Sequence, residues 1–212
     1  MANNRKEEIL FATLELAAER GLGDVSMGMI ADRVGIKKPS LYNHFSSKEE
    51  IIKEMYQYLR EKARLGLGNA VVDYGALFDG KTAFKVLMLM IDNYKKMNHD
   101  KYMWLFYKVI YSERSREPIA AGIMAEETER MIIATKQLFY ALQVHGLLYF
   151  GNPDMSAVTF AMTVHGLLDY ETDLERQKET SADKADNRLL HEYLRWFCKE
   201  NAVSRVKEAG QI

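Results

Sequence analysis

Apolar residues recur along this chain at the three- and four-residue intervals that are typical of α-helices, and no useful length of strand-like alternation interrupts them. We therefore predict an all-α fold of about nine helices. Glycine-rich residues 66–80 and polar residues 177–187 are predicted to be loops. The predicted helices cover residues 4–20, two short segments between 26 and 48, then about 47–65, 81–98, 101–115, 118–145, 152–176 and 188–201.

The two short helices between residues 26 and 48 have the pattern of a helix-turn-helix. Ser26 is a favourable N-cap for the first helix, and Gly35 supplies the flexible backbone of a sharp turn. Pro39 suits the first turn of the second helix, in which Leu41 and Phe45 recur at i, i+4 and point inward. This pattern favours a second helix that enters the major groove of DNA, although a solvated helical hairpin has the same spacing.

This region resembles the DNA-binding domain of the TetR family of bacterial transcriptional regulators. The resemblance lies in ILFATLELAAERG (9–21), VSMGMIADRVGI (25–36) and KKPSLYNHFSSKEEII (37–52), and Tyr42, His44-Phe45 and Ser47-Lys48-Glu49 are its most specific part. It covers about the first 55 residues. Met27-Gly28-Met29 departs from the family pattern, and Gly28 weakens its helix by roughly 0.5–1 kcal/mol relative to alanine. We predict an N-terminal helix-turn-helix DNA-binding domain at 1–50 and a helical effector-binding and dimerisation domain at 51–212.

Polar side chains on the second short helix are the candidate DNA contacts. Lysine can donate to guanine and asparagine can pair with adenine, so the start of this helix is predicted to contact bases. For His44 a packing role, and for Tyr42 a core position, remain alternatives. The predicted base contacts are Lys37, Lys38, Pro39, Ser40 and Asn43, and the predicted phosphate contacts are Ser26, Tyr42, His44 and Lys48.

Charge and composition narrow the class of protein. The net charge of the 212 residues is −1, but residues 25–48 carry four basic side chains against one acidic side chain, so the positive charge is local. Cys198 is the single cysteine, and the chain starts without an apolar signal segment. Its longest apolar run is too short to span a bilayer. We expect a cytoplasmic protein that has no membrane partner and no cofactor.

Residues 81–170 are rich in methionine and aromatic side chains, which suit cavities of irregular shape. The resemblance implies a small-molecule effector pocket in this region, and ordinary core packing is the alternative for each residue. We expect a repressor that leaves a palindromic operator in double-stranded DNA when a small apolar or amphipathic ligand binds. A ligand-independent activator is the alternative. The candidate ligand residues are Met88, Met103, Trp104, Tyr107 and Tyr111.

Two apolar stripes near the C-terminus could pack against the same stripes of a second copy, or against the protein's own core. The spacing alone does not separate these two arrangements. The resemblance implies a homodimer through the last two helices. The predicted interface residues are Ala157, Ala161, Val164 and Leu168 on one helix and Leu190, Leu194 and Phe197 on the next.

Two further patterns suggest a nucleotide-binding site and a metal site, but each fits such a site poorly. Residues 75–82, GALFDGKT, match the spelling of a nucleotide-binding P-loop, yet the buried strand that must precede such a loop is not predicted. His165, Asp169 and Asp173 share a helical face, although such groups are more often surface residues than metal ligands. We therefore predict no enzyme and no metal site, and a nucleotide-binding helical enzyme is the weaker alternative.

Overall fold

Helices make up all the regular structure in the part of the chain that the computed structural model describes, which is residues 2–66, 73–97, 100–178 and 188–203. The predicted all-α class is confirmed, with ten helices in these residues. They are α1 (Ala2–Arg20), α2 (Met27–Val34), α3 (Lys38–Tyr42), α4 (Lys48–Gly66), α5 (Tyr74–Phe78), α6 (Ala83–Met97), α7 (Lys101–Glu113), α8 (Pro118–Val144), α9 (Pro153–Lys178) and α10 (Arg188–Glu200).

Helix α5 is the element that the sequence pattern missed, because residues 66–80 were predicted to be a loop. Asp73 caps this helix by accepting a hydrogen bond from the Ala76 amide at 3.1 Å, and Phe78 is buried. The cap and the buried ring offset the poor helix propensity of Gly75. Residues 67–72 lie outside the described part of the chain, as do residues 179–187 of the second predicted loop.

The first of two compact units consists of Met1–Ala70 and Tyr94–Glu127. Its core joins the N-terminal helices to α7 and to the start of α8, since Met103, Phe106 and Ile110 are buried in the same cluster as Leu14 and Ile30. The N-terminal helices therefore share a hydrophobic core with residues that follow them by more than fifty positions. The predicted boundary between residues 50 and 51 divides the chain by function and stays a prediction.

The second unit consists of Val71–Asn93 and Thr128–Ile212. Aromatic rings form the centre of its core. The Phe139 ring stacks on Phe150 with centroids 4.4 Å apart, and Phe160 and Phe197 surround it. Aromatic pairs of this kind stabilise a core beyond the apolar area that they bury.

The two glycines of α2 and its turn are expected to respond to alanine in opposite directions. Gly28→Ala should raise the free energy of unfolding by up to about 0.5–1 kcal/mol, because the added Cβ meets only the Ser26 hydroxyl at 3.8 Å. Gly35→Ala should lower it by roughly 1–2 kcal/mol, because Gly35 has a φ of +73°. Urea denaturation of both variants checks this, and a destabilised Gly28→Ala protein would contradict it.

Candidate nucleic-acid interface

The first helix of the predicted helix-turn-helix, α2, is capped at both ends. The Ser26 hydroxyl accepts a hydrogen bond from the Met29 amide at 3.3 Å. Gly35 adopts the left-handed conformation, and the Ile36 amide then donates to the Ala31 carbonyl at 2.9 Å. These bonds end α2 and turn the chain toward the next helix, as the sequence predicted.

The second helix, α3, is held to the protein by apolar side chains. Lys37 occupies its N-cap position without a side-chain cap, and Pro39 lies in the first turn. Leu41 is fully buried and Phe45, just past the helix, is 2% exposed. Both belong to the core of the first unit, so the opposite face of α3 is left to solvent.

The five predicted base contacts share that exposure. Each has its side chain open to solvent at the start or the end of α3, where a groove of DNA would be reached. Tyr42 is also exposed, at 47%, so the alternative of a core position does not hold for it. His44 is half-buried, and its packing role stays open. The exposed candidates are Lys37, Lys38, Pro39, Ser40 and Asn43.

Lys48 has a structural role that the sequence did not indicate. Its ammonium group donates to the Leu22 carbonyl at 2.8 Å and lies 3.3 Å from the Gly23 carbonyl. The side chain thereby ties the start of α4 to the loop between α1 and α2. An ammonium group has three donors, so this arrangement leaves one for a phosphate.

Arg33 contributes less to the positive surface than its place in residues 25–48 suggested. Its guanidinium group donates to both carboxylate oxygens of Glu19 at 3.1 and 2.7 Å, and Glu15 lies 3.7 Å away. The hydrogen bond to Arg33 lowers the pKa of Glu19, and the same bond raises the pKa of Arg33. The pair fastens α2 to α1, and Lys37 and Lys38 are exposed cations at the start of α3.

The Ser-x-x-Glu sequence of residues 47–50 has the pattern of a capping box, and this box forms in part at the start of α4. The Ser47 hydroxyl accepts from the Glu50 amide at 3.2 Å, as the pattern requires. The Glu50 carboxylate reaches back to the amide and hydroxyl of Ser46 instead of Ser47, at 2.6 Å each. These hydrogen bonds lower the pKa of Glu50 and fix the connection between α3 and α4.

The predicted effector residues are not one cluster. Met88 packs on the core of the second unit, whereas Met103 and Tyr107 pack within the first. Trp104 is 51% exposed and has the Lys108 ammonium 5.1 Å from its ring. Tyr111 is also exposed, with the Arg114 guanidinium 3.9 Å from its ring. Assignment of all five to one pocket stays a prediction.

The residues predicted for a dimer interface lie in the protein's own core, which corrects that choice of residues. Six are buried within the single chain and one is half-buried, so they offer little surface to a second copy. The apolar stripes therefore face the protein's own core, which is the alternative that the spacing left open. They are Ala157, Ala161, Val164, Leu190, Leu194 and Phe197, all buried, and the half-buried Leu168.

The P-loop spelling at residues 75–82 does not correspond to a phosphate-binding loop. Residues 75–78 lie within α5 and Tyr74 before them is helical, so the described residues next to the motif form a helix where a P-loop requires a strand and a loop. His165 and Asp169 pair at 3.8 Å, and the described residues contain no group of three metal-ligating side chains. Burial raises the pKa of the Cys198 thiol to about 11, which makes it a poor nucleophile.

Known proteins match this chain most directly over its N-terminal helices. The model of bacterial regulatory proteins of the tetR family matches residues 9–55, which contain α2, α3 and the caps described above. Over these residues the chain is similar to the TetR family of bacterial regulatory proteins. The predicted resemblance is thereby confirmed.

Two curated relatives show how far the sequence similarity extends. The transcriptional repressor KstR2 of Mycobacterium tuberculosis is 45% identical over 53 residues, which are 25% of this chain and 26% of that protein. The transcriptional activator FasR of Mycolicibacterium smegmatis is 42% identical over 55 residues, 26% of this chain and 25% of that one. The chain thus matches about a quarter of the length of these relatives.

Solved structures extend the likeness to the whole fold. The flavonoid-responsive regulator FrrA has a TM-score of 0.68 at 22% identity and covers 93% of this chain and 97% of its own. GusR of Salmonella enterica has a TM-score of 0.65 at 20% identity, covering 93% and 94%. At these identities the likeness shows the fold. Among the described helices, none is long and apolar enough to cross a membrane.

Proposed function

We propose that this protein is a sequence-specific DNA-binding transcriptional regulator of the bacterial cytoplasm and not an enzyme. The exposed polar face of α3, held from behind by the buried Leu41, is the observation that carries this proposal. A short helix with exposed lysine, serine and asparagine at the end of a capped turn has the shape and donors for the major groove. The family match over residues 9–55 supports it.

A homodimer is the assembly we propose for DNA recognition. Large apolar side chains remain exposed on α9 and α10 at intervals of seven or eight residues, so each set lies along one side of its helix. A second copy would cover these faces, since the predicted stripes are already buried. The exposed residues are Met155, Met162 and Tyr170 on α9 and Leu189 and Trp196 on α10.

Such a dimer would bind a near-palindromic operator whose half-sites lie about 34–36 Å apart or a multiple of that distance. Selection of bound sequences from random duplexes tests this directly. We expect a symmetric consensus, and a logarithmic salt dependence with a slope near −5 if roughly six phosphates are neutralised. Absence of any sequence preference at low salt by a folded dimer would contradict the proposal.

Single substitutions on α3 should separate base contacts from phosphate contacts. Lys38→Ala and Asn43→Ala are each expected to cost about 1–3 kcal/mol of binding free energy and to relax preference at one operator position. Lys85→Ala, which removes an exposed lysine from α6, is the control and should bind like the wild type. Fluorescence anisotropy on operator variants measures this, and an equal loss on every sequence would reassign the residue to the phosphate backbone.

We further propose that the protein is a repressor which a small apolar or amphipathic molecule releases from DNA. FrrA is described as flavonoid-responsive, and a regulator from Saccharomonospora viridis of the same fold, at a TM-score of 0.58, was solved with choline. A ligand that binds the DNA-incompetent state better by about 1–3 kcal/mol would reduce operator affinity roughly 5- to 150-fold. Activation is the second candidate, because the relative FasR is an activator.

A further inference from the structure

A partly buried carboxylate in the first unit joins helix α8 to helix α4. The Glu127 side chain of α8 is 15% exposed, and its Oε1 accepts a hydrogen bond from the Tyr56 hydroxyl of α4 at 2.6 Å. The same oxygen pairs with the Arg60 guanidinium, also from α4.

The surroundings of Glu127 are those of a specific polar site and not of a solvated surface pair. The Tyr56 ring is 2% exposed, stacks near Phe106 with centroids 6.0 Å apart, and has the Arg60 guanidinium 5.8 Å from its centre. Burial, followed by the charge of Glu127, raises the pKa of Tyr107. The Arg60 side chain is 27% exposed and the Glu127 side chain 15% exposed, so the two charges are partly shielded from water and attract each other more strongly than a fully exposed pair.

Helix α4 connects this carboxylate to the core that holds α3, the helix with the predicted base contacts. Tyr56 and Arg60 are four residues apart and therefore lie on one face of α4. Earlier on the same helix, Ile51, Ile52 and Met55 are buried in the core that also holds Leu41 of α3. Because α4 is continuous, a rotation or shift at Tyr56 would also move these residues, which pack in the same core as α3.

We infer that Glu127 is a positioning residue for DNA recognition, acting through Tyr56 and Arg60 on helix α4. This inference rests on the proposed function. It assigns a role in operator binding to a residue more than eighty positions after helix α3. A loss of the carboxylate should leave α3 folded and exposed but no longer held in the orientation that fits the groove.

Operator affinity of the folded protein is the test, at a temperature where circular dichroism shows each variant to be fully folded. Glu127→Gln keeps the shape but removes the charge, and Tyr56→Phe removes one hydroxyl while the ring stays in place. We expect each to weaken binding to the selected operator at least tenfold. The double variant should lose less than the product of the two effects, because both changes remove the same interaction.

Glu129→Gln is the matched control, since it removes an exposed carboxylate from the same helix, α8. It should bind as the wild type does. If wild-type protein shows no sequence preference, the proposed function fails. If wild type binds its operator and the folded Tyr56→Phe and Glu127→Gln proteins bind equally well, Glu127 serves stability alone and the inference is overturned.

Discussion

Replacing Leu41 by alanine is expected to lower the free energy of unfolding of the first unit by about 2–5 kcal/mol and to abolish operator binding. Leu41 is fully buried, and truncation of such a side chain removes its contacts and leaves a cavity. Helix α3 has only five residues, so it has no stability apart from this packing. Denaturant unfolding and anisotropy on labelled operator measure the two effects.

Ser40→Ala is the control for that experiment because Ser40 precedes Leu41 on the same helix and is exposed. It should change stability by no more than about 0.5 kcal/mol. Its effect on binding should be confined to the operator position that Ser40 contacts. A Leu41→Ala protein as stable as the Ser40→Ala protein would mean that α3 is not anchored through this side chain.

Local signals in the sequence were sufficient to predict the helix-turn-helix. Ser26, Gly35 and Pro39 each act within a few residues of themselves, through a cap, a turn and a fixed φ, so their effect can be inferred without tertiary structure. The inward Leu41 and Phe45 follow from helical periodicity in the same way. The structure places all five as predicted.

Helix α5 and the dimer residues show where local reasoning fails. Glycine content favoured a loop at residues 66–80, but burial of Phe78 and the Asp73 cap outweigh propensity over five residues. The stripe through Ala157 and Leu190 was correctly identified as apolar. Periodicity shows that a helix face is buried and does not show by what, so the core of the same chain and a partner subunit give the same pattern.

Long-range polar contacts left no recognisable pattern at all. Glu127 pairs with residues 67 and 71 positions earlier, and Lys48 donates to a carbonyl 26 residues before it. Neither separation corresponds to a pattern that can be recognised in the sequence. The smaller contribution of Arg33 to the positive surface is also due to a long-range contact, because its partner Glu19 lies on another helix. Counts of charge in a segment therefore overestimate what that segment presents to DNA.

Phe106→Ala should destabilise helices α1 to α4, which include the predicted DNA contacts, although Phe106 itself lies on α7. Its ring is 1% exposed in the core that contains Leu14, Ile30 and Leu41, and its removal is expected to cost about 3–5 kcal/mol. Because α1 to α4 share that core, amide hydrogen exchange should become faster throughout them. Operator binding should weaken in parallel as the fraction of folded helix-turn-helix falls.

Phe139→Ala supplies the comparison, because Phe139 is just as buried but belongs to the second unit. A similar loss of stability is expected, with faster exchange in α9 and α10 and little change in α2 and α3. If Phe106→Ala instead left exchange in α1–α3 unchanged, the N-terminal 50 residues would fold as an independent domain. The contrast between the two variants thus decides whether helices α2 and α3 depend for their stability on side chains from residues 94–127.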